Sequence, residues 1–449
     1  LKIASVYEKL MDVEYTKNYT VNKGFSTATP EELFAIYTQQ ARVLDTRMTF
    51  LDIVASLHCS IRLSPYFRFP LLGKNINAEL SFVGVKNVNK VVKSKSRNKS
   101  IRKAMERVGK AMTSNALCKT TVDLIKNDCA QIVALTDLPI EWMMLDGIPL
   151  GFSHDVCRLP ETPVQSFLAQ YEEAIVTPYI IPKDIIQKTL VVYGNNESAF
   201  VLFQSAVEML KEKLGFQTRR CLCKKEFFDV VEEVNPDLLI VDCHGDVDKV
   251  THQSYLIIGD DIVGGEDIIN SHIHPRLVFL SACNTFTAYN SVGTIANAFF
   301  QSGANAVTTA YMPLEIMPAT TLYCRLLVNL ERASQKKIHR NWLSFMSHLM
   351  RTSYIHSPMM DNTDKMSREL SEKLAEITAA SMMFGNRRKI YQELASNDFT
   401  KAMEADYDSI IPHYLMYSTL GRADLIRFES FIEEVNESLF TYSIKNETT

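Results

Sequence analysis

No apolar run in these 449 residues approaches the ~18 residues that a membrane span needs. The opening LKIASVYEKL also lacks the charged start and apolar centre of a secretory signal, so a cytoplasmic location is expected. Charge of one sign is missing too: the net charge is only -4, which provides no global field for nucleic acid or a membrane surface. Cysteine is odd in number, nine, and lacks the dense spacing of a disulfide scaffold, so reduced thiols are expected. Cys221 and Cys223 form a C-x-C and Cys243 sits beside His244, but zinc sites normally pair two C-x2–4-C elements and no second pair exists. No metal and no cofactor is expected. A fixed helical-repeat period is absent from about the first 120 residues. The chain starts with leucine rather than methionine, as a processed product or a piece without an upstream region would.

What is present is enough apolar material, 46% of residues, to fill sizeable cores in two or three domains of ~100 to 200 residues. Two stretches organise it. Leu238 to Gly245 reads LLIVDCHG, and Leu277 to Thr285 reads LVFLSACNT. Each is an apolar run of strand length that stops at small polar residues, the first delivering His244 and the second Cys283 just past the strand's carboxyl end. Parallel strands of one sheet would present an imidazole and a thiol at the same edge, where open α/β sheets place their crevices. A thiol attacks an amide as thiolate, and a neighbouring imidazole is the group that makes one near neutral pH. Taken singly, either residue is more often structural: a cysteine ending a buried strand is usually core, and a lone histidine is usually a satisfied polar group. The pair is favoured because both strand ends share one architecture and Gly245 allows close backbone approach.

These residues carry a family resemblance. The HG after one apolar strand, the LSAC after the next, and GTIANAFFQSGANAVTTAY from Gly293 to Tyr311 resemble the CHAT family of caspase-like cysteine peptidases. The stretch from Ile132 to Glu161, with LTDLPIEWMMLDGIPLGF and VCRLPET, resembles the beginning of such domains. Separases share the fold but show a different cysteine context. The resemblance implies a mostly parallel caspase-like sheet flanked by helices, with an additional α/β layer before it and helical extensions. It further implies a Cys283–His244 dyad and an oxyanion site formed by the backbone N–H groups of Gly245 and Cys283. It places family members in prokaryotic defence systems, including CRISPR- and gasdermin-linked ones, and so implies a regulatory protein partner or complex, RNA-containing complexes included.

Four regions are expected along the chain: 1–110, helical with a basic connection; 111–185, a first, non-catalytic α/β part; 186–335, the catalytic subdomain; and 336–449, helical. Thr29-Pro30-Glu31-Glu32 reads as a helix start leading to about Ile61. Lys86 to Lys110 holds ten basic residues against one acidic, Glu106, and without interleaved aromatics it is read as a solvated helix and loop rather than a nucleic-acid surface. Gln131 to Leu135 is a strand candidate and Asp146-Gly147 a turn, and Pro160, Pro163, Pro178 and Pro182 punctuate a linker-like stretch. Thr189 to Tyr193 is a buried strand. Asn195 or Asn196 is expected to cap the next helix, with Phe203, Ala206, Leu210 and Leu214 on its apolar face and Gly215 as its stop. A strand near Phe216 to Cys223 and a helix near Phe227 to Val234 continue a parallel arrangement with right-handed crossovers.

Between His244 and Cys283, Ser254 to Ile258 and Asp260 to Val263 suggest a hairpin turning near Gly259, and Asp267 to Ser271 a short helix. His252, His272 and His274 lie in this insert, but only His244 ends a strand and precedes glycine. Asp242 would share its face if the strand persisted, and the residue that orients His244 stays open. Asp246, Asp248 and Glu315 are candidates for a pocket taking a basic side chain, although acidic loop residues are usually just solvated. Two apolar stripes close the chain, Met366, Leu370, Leu374 and Ile377, then Leu425, Phe428, Ile432, Val435 and Leu439. The expected function is a cysteine endopeptidase cleaving a partner protein under regulatory control. The alternative is a catalytically silent caspase-like scaffold binding protein or RNA.

Overall fold

Leu238–Asp242 and Leu277–Ser281 have no polar face before their last residue, a pattern that only a sheet covered on both sides can satisfy. In the computed structural model both are buried along their whole length at the centre of an eight-stranded sheet. The structure describes residues 48–60, 95–136, 138–160, 178–248, 253–286, 294–361, 387–394 and 413–432, with single positions 38, 45, 251 and 372.

The strands are β1 (Gln131–Leu135), β2 (Asp155–Leu159), β3 (Thr189–Tyr193), β4 (Gln217–Arg220), β5 (Leu238–Asp242), β6 (His244–Val247), β7 (Ser254–Ile258), β8 (Asp261–Val263), β9 (Leu277–Ser281), β10 (Ala306–Ala310) and β11 (Tyr417–Gly421). The central sheet runs β1-β2-β11-β10-β9-β5-β3-β4. Every neighbouring pair is parallel except β10 and β11. The sheet is therefore two parallel blocks, five strands and three, meeting at one antiparallel seam. Strands β6, β7 and β8 form a separate antiparallel sheet in the order β8-β7-β6.

The flanking helices are α1 (Lys95–Ala116), α2 (Lys119–Asp128), α3 (Ser198–Leu214), α4 (Lys224–Val234), α5 (Gly265–Ile269), α6 (Ile295–Gln301), α7 (Ile316–Gln335) and α8 (Trp342–Asp361). Helix α1 accounts for the described part of the basic run. It buries Ile101, Ala104, Met105, Val108 and Met112 at helical spacing, so Lys103, Arg107 and Lys110 ride on the exposed back of a core helix while Arg102 is largely covered. The expected helix near the start is described only over 48–60, where it is helical, and the linker stretch 161–177 lies outside the described residues.

Several expectations need correction. Helix α3 starts after Glu197, not Asn195 or Asn196, and it buries Phe200, Gln204 and Val207 while Ala206 is exposed. Its phase follows a polar demand: Gln204 Nε2 donates to Asp242 at 3.3 Å and its Oε1 accepts from Arg220 at 2.6 Å, which leaves Leu202 and Met209 to solvent. Gly215 does end the helix, in the left-handed conformation at φ 85°. The region beyond 336 is not only helical, because β11 joins the central sheet and Leu425 lies in a turn before a short strand, Arg427–Phe428. The sheet thus draws strands from residues on both sides of the 186–335 segment. Of the two closing stripes, Met366, Leu370, Leu374, Ile377, Val435 and Leu439 lie outside the described residues. The hairpin over β7 and β8 turns at Gly259, φ 60°, as its sequence predicts.

Candidate active site

Strands β5 and β9 pair in parallel with Asp242 opposite Ser281, so the residues that follow each strand leave the sheet side by side. Past Asp242 the chain turns at Cys243 and starts β6 with His244, which pairs antiparallel to β7 through Ile257. Past Ser281 it enters a turn over Cys283 to Phe286. Gly245 is where the two paths touch: a Cβ added there would lie 2.4 Å from the carbonyl oxygen of Cys283 and 3.3 Å from its nitrogen. Only a residue without a side chain permits that approach. Gly194 does the same for β3, since a Cβ there would meet the Cys243 side chain at 2.5 Å. The sequence pattern HG therefore has a steric meaning as well as a chemical one.

The His244 ring is fixed from two sides. Its Nε2 lies 2.8 Å from the Glu197 carboxylate, which can only accept, so this nitrogen carries the proton. The edge of the ring meets Phe200 at a centroid distance of 4.9 Å. Glu197 stands at the N-cap of α3 but spends its carboxylate on His244 rather than on the helix. With Nε2 protonated and paired, Nδ1 is the nitrogen with a free lone pair. Glu197 was missed by sequence reasoning; the available signal was its position just past β3, whose last residue Tyr193 pairs with Asp242.

Asp242 does not serve His244 by hydrogen bond. Its buried carboxylate accepts from Gln204, from the Ser281 hydroxyl at 3.1 Å and from the Tyr323 hydroxyl at 3.0 Å. Burial raises its pKa, against these donors and the nearby His244, which lower it. The group ties α3, α7 and the ends of β5 and β9 directly beneath the candidate site.

Cys283 is half-buried, and its Sγ accepts from the backbone N–H of Leu314 at 3.2 Å, with the Leu314 carbonyl 4.0 Å away. Thus the segment following β10 lies against the thiol. Asn284, next to the thiol, takes a left-handed φ of 53°, and its side-chain amide donates to Asp246 at 3.3 Å. Asp246 is exposed and also accepts from the Val247 N–H at 2.9 Å. Asp248 accepts from the backbone and hydroxyl of Thr251, at 2.6 and 3.0 Å, in a local turn. Glu315 is exposed, stands at the N-cap position of α7 without a side-chain capping bond, and adjoins Leu314. Of the histidines set aside above, His274 Nδ1 contacts the Ser302 carbonyl at 2.7 Å, His272 is exposed, and His252 is outside the described residues. Cys221 is buried with its thiol pushed up to about 12 by desolvation, while Cys223 caps α4 by accepting from Glu226. None of the nine cysteines forms a disulfide.

Residues 199–340 match the model of the CHAT domain. The match spans His244, Gly245, Cys283 and Leu314, and begins just after Glu197. A search of curated protein sequences finds no match. Among solved structures, the complex of Porphyromonas gingivalis RgpB pro- and mature domains aligns with a TM-score of 0.42 and 12% identity, over 79% of this chain and 77% of that one. The Arg-specific cysteine proteinase gingipain R aligns with the same score and identity over 80% of each chain. The Saccharomyces cerevisiae separase–securin complex aligns at 0.37 and 10% identity, over 79% of this chain and 26% of that one. Among the described residues, no helix is long and apolar enough to cross a membrane.

Proposed function

We propose that this chain, with its CHAT match over 199–340, is a cysteine endopeptidase that uses Cys283 as nucleophile and His244 as general base. The observation that carries the proposal is the contact of Gly245 with the Cys283 backbone, which seats the residue after the imidazole against the residue bearing the thiol. Proton flow follows from the pairing at Glu197. Nε2–H is committed to the carboxylate, so Nδ1 takes the Cys283 proton, and the imidazolium that forms gains from the Glu197 charge. The thiolate attacks the peptide carbonyl, and the proton passes from Nδ1 to the leaving amine. Water then resolves the thioester by the reverse sequence. Backbone N–H groups of Gly245 and Cys283 are the donors for the oxyanion, a role taken from the family resemblance and supported by their adjacency. Glu315, which follows Leu314, and Asp246, which accepts from Asn284, are both exposed, and we assign them to a substrate rim that would take a basic side chain.

The enzyme is further proposed to await a regulatory protein partner, a clause that rests on the family resemblance. Membership of a defence system, CRISPR- or gasdermin-linked, extends the proposal on the family resemblance. The test is exposure of the purified chain, alone and with candidate partner proteins, to a proteome-derived peptide library, with new termini read by mass spectrometry. Cleavage by wild type and none by Cys283→Ser supports the proposal. No Cys283-dependent termini under any condition would return the chain to the scaffold reading, and full-rate cleavage without a partner would remove the regulatory clause.

A further inference from the structure

The peptidase reading uses nothing from the three-strand block, yet that block delivers a buried charge to the loops around the thiol. Arg158 on β2 has a fully buried side chain. Its guanidinium carbon lies 4.9 Å from the centre of the Phe286 ring and 4.8 Å from that of Tyr311. Phe286 closes the turn that starts at Cys283, and Tyr311 opens the segment whose Leu314 N–H reaches the Cys283 sulfur. One cation therefore stacks on both chain segments that meet at the thiol, three residues from it on each.

The opposite charge closes the clamp. Glu141 accepts from Arg158 Nε at 3.1 Å, from the Tyr311 hydroxyl at 2.8 Å and from the Ser418 hydroxyl at 2.5 Å. Arg158 Nη1 donates to the Leu138 carbonyl at 2.9 Å, and Nη2 is buried with no hydrogen-bond acceptor among the described residues. The two segments are also stitched to each other: Phe286 N–H donates to the Ala310 carbonyl at 3.0 Å, Ala310 N–H donates to the Thr285 hydroxyl at 3.0 Å, and the Thr285 and Thr309 hydroxyls are 2.6 Å apart. A buried ion pair is a poor source of stability, because desolvation of both ions offsets their attraction. Its use is geometric, and a planar guanidinium between two rings fixes both more tightly than an ammonium could.

We propose that Arg158, Glu141 and Tyr311 form a positioning clamp by which the β1-β2-β11 block sets the Cys283 turn and the Leu314 segment in register for catalysis. The clamp makes thiol reactivity depend on the non-catalytic block. The inference rests on the peptidase reading and deepens it.

Three cysteines of the same chain supply the test, read by mass spectrometry after timed iodoacetamide labelling of the full-length protein. Cys283 reports the site, exposed Cys118 is the control, and buried Cys157, adjacent to Arg158, reports loss of the fold. The variants are Arg158→Lys and the gentler Tyr311→Phe, which keeps the ring and removes only the hydroxyl contact with Glu141. The expected result is slowing at Cys283 of about tenfold in Arg158→Lys and a few-fold in Tyr311→Phe, with Cys118 unchanged and Cys157 protected. Wild-type reactivity at Cys283 in both variants would overturn the clamp, and so would gain of labelling at Cys157 in step with every loss at Cys283, since the network would then hold only the fold. Failure of the peptidase reading looks different: Cys283 in the unaltered protein would react no faster than Cys118 and would not respond to His244→Ala.

Discussion

Glu197 takes one nitrogen of His244 and thereby assigns the other to the thiol. Glu197→Gln keeps the size and an acceptor oxygen but removes the charge that favours the imidazolium. Because both side chains are partly exposed, at 41% for His244 and 57% for Glu197, solvent screens part of that charge. The expected loss is about tenfold in peptide cleavage and in Cys283 labelling rate, with the melting temperature unchanged within a degree or so. An unchanged rate would remove Glu197 from the site. At this scale the sequence was readable where a backbone rule applied and opaque where a side chain reached across the fold. His244 and Cys283 stand out in the sequence because each follows an apolar strand, and Gly245 because glycine marks close approach. Glu197 was hidden among Asn195 and Asn196, better capping residues, and Asp242 could be placed on a face but not turned toward Gln204, Ser281 and Tyr323. The acidic residues after His244 looked alike, yet Asp248 closes a turn while Asp246 reaches Asn284 beside the thiol.

At the scale of the element, β6 and the turn after β9 are held together by backbone contact rather than by side-chain packing. A methyl group at Gly245 would have to displace the Cys283 carbonyl, and backbone cannot yield as a flexible side chain does. Gly245→Ala is therefore expected to cost about 1–3 kcal/mol in chemical denaturation. It should also lower Cys283-dependent cleavage at least a hundredfold, as an ångström of misplacement can. Full activity in that variant would contradict the packing described. Strand identity was legible from composition: Gln131–Leu135 and Thr189–Tyr193 have the bounds their sequences predict. The phase of α3 was legible in part: Leu210 and Leu214 pack against the core as their stripe predicts, but Ala206 is exposed and the tie to Asp242 draws Gln204 inward. Strand β11 escaped notice because YSTLG carries little apolar signal and its neighbours in the sheet lie far away in the chain.

Across the whole molecule, the antiparallel seam joins the block that carries the candidate site to a block rich in buried charge. Arg422 is paired with Asp424 at 2.8 Å and also donates to His58 Nδ1 at 2.8 Å, so His58 must be neutral to accept. Burial, followed by Arg422, lowers its pKa from 6.5 to about 4. A folded-state pKa below the unfolded one means that the unfolded chain binds the extra proton, so this stability is complete above pH 6.5 and is lost as pH falls toward 4. The expected loss from this one residue is roughly 2 kcal/mol between pH 7 and pH 5. His154, buried and likewise lowered by desolvation, adds in the same direction. His58→Gln, which retains an acceptor for Arg422, should flatten the pH dependence of urea denaturation over that range; an unchanged slope would show that His58 titrates normally. The parallel, helix-flanked class of this fold was readable from the repeated strand-then-helix pattern. Its union of two blocks in one sheet was not, because pairing between distant segments leaves no local periodicity.

The central claim is that Cys283 is a nucleophile activated by His244, and the most direct measurement is the rate at which a thiol-reactive peptide probe labels each of the nine cysteines in wild type and in His244→Ala. The account predicts that Cys283 is labelled fastest in wild type and falls to the rate of an ordinary thiol in the variant, while the other eight are unchanged. Equal labelling of Cys283 in the two proteins, with candidate partners present as well as absent, would contradict it.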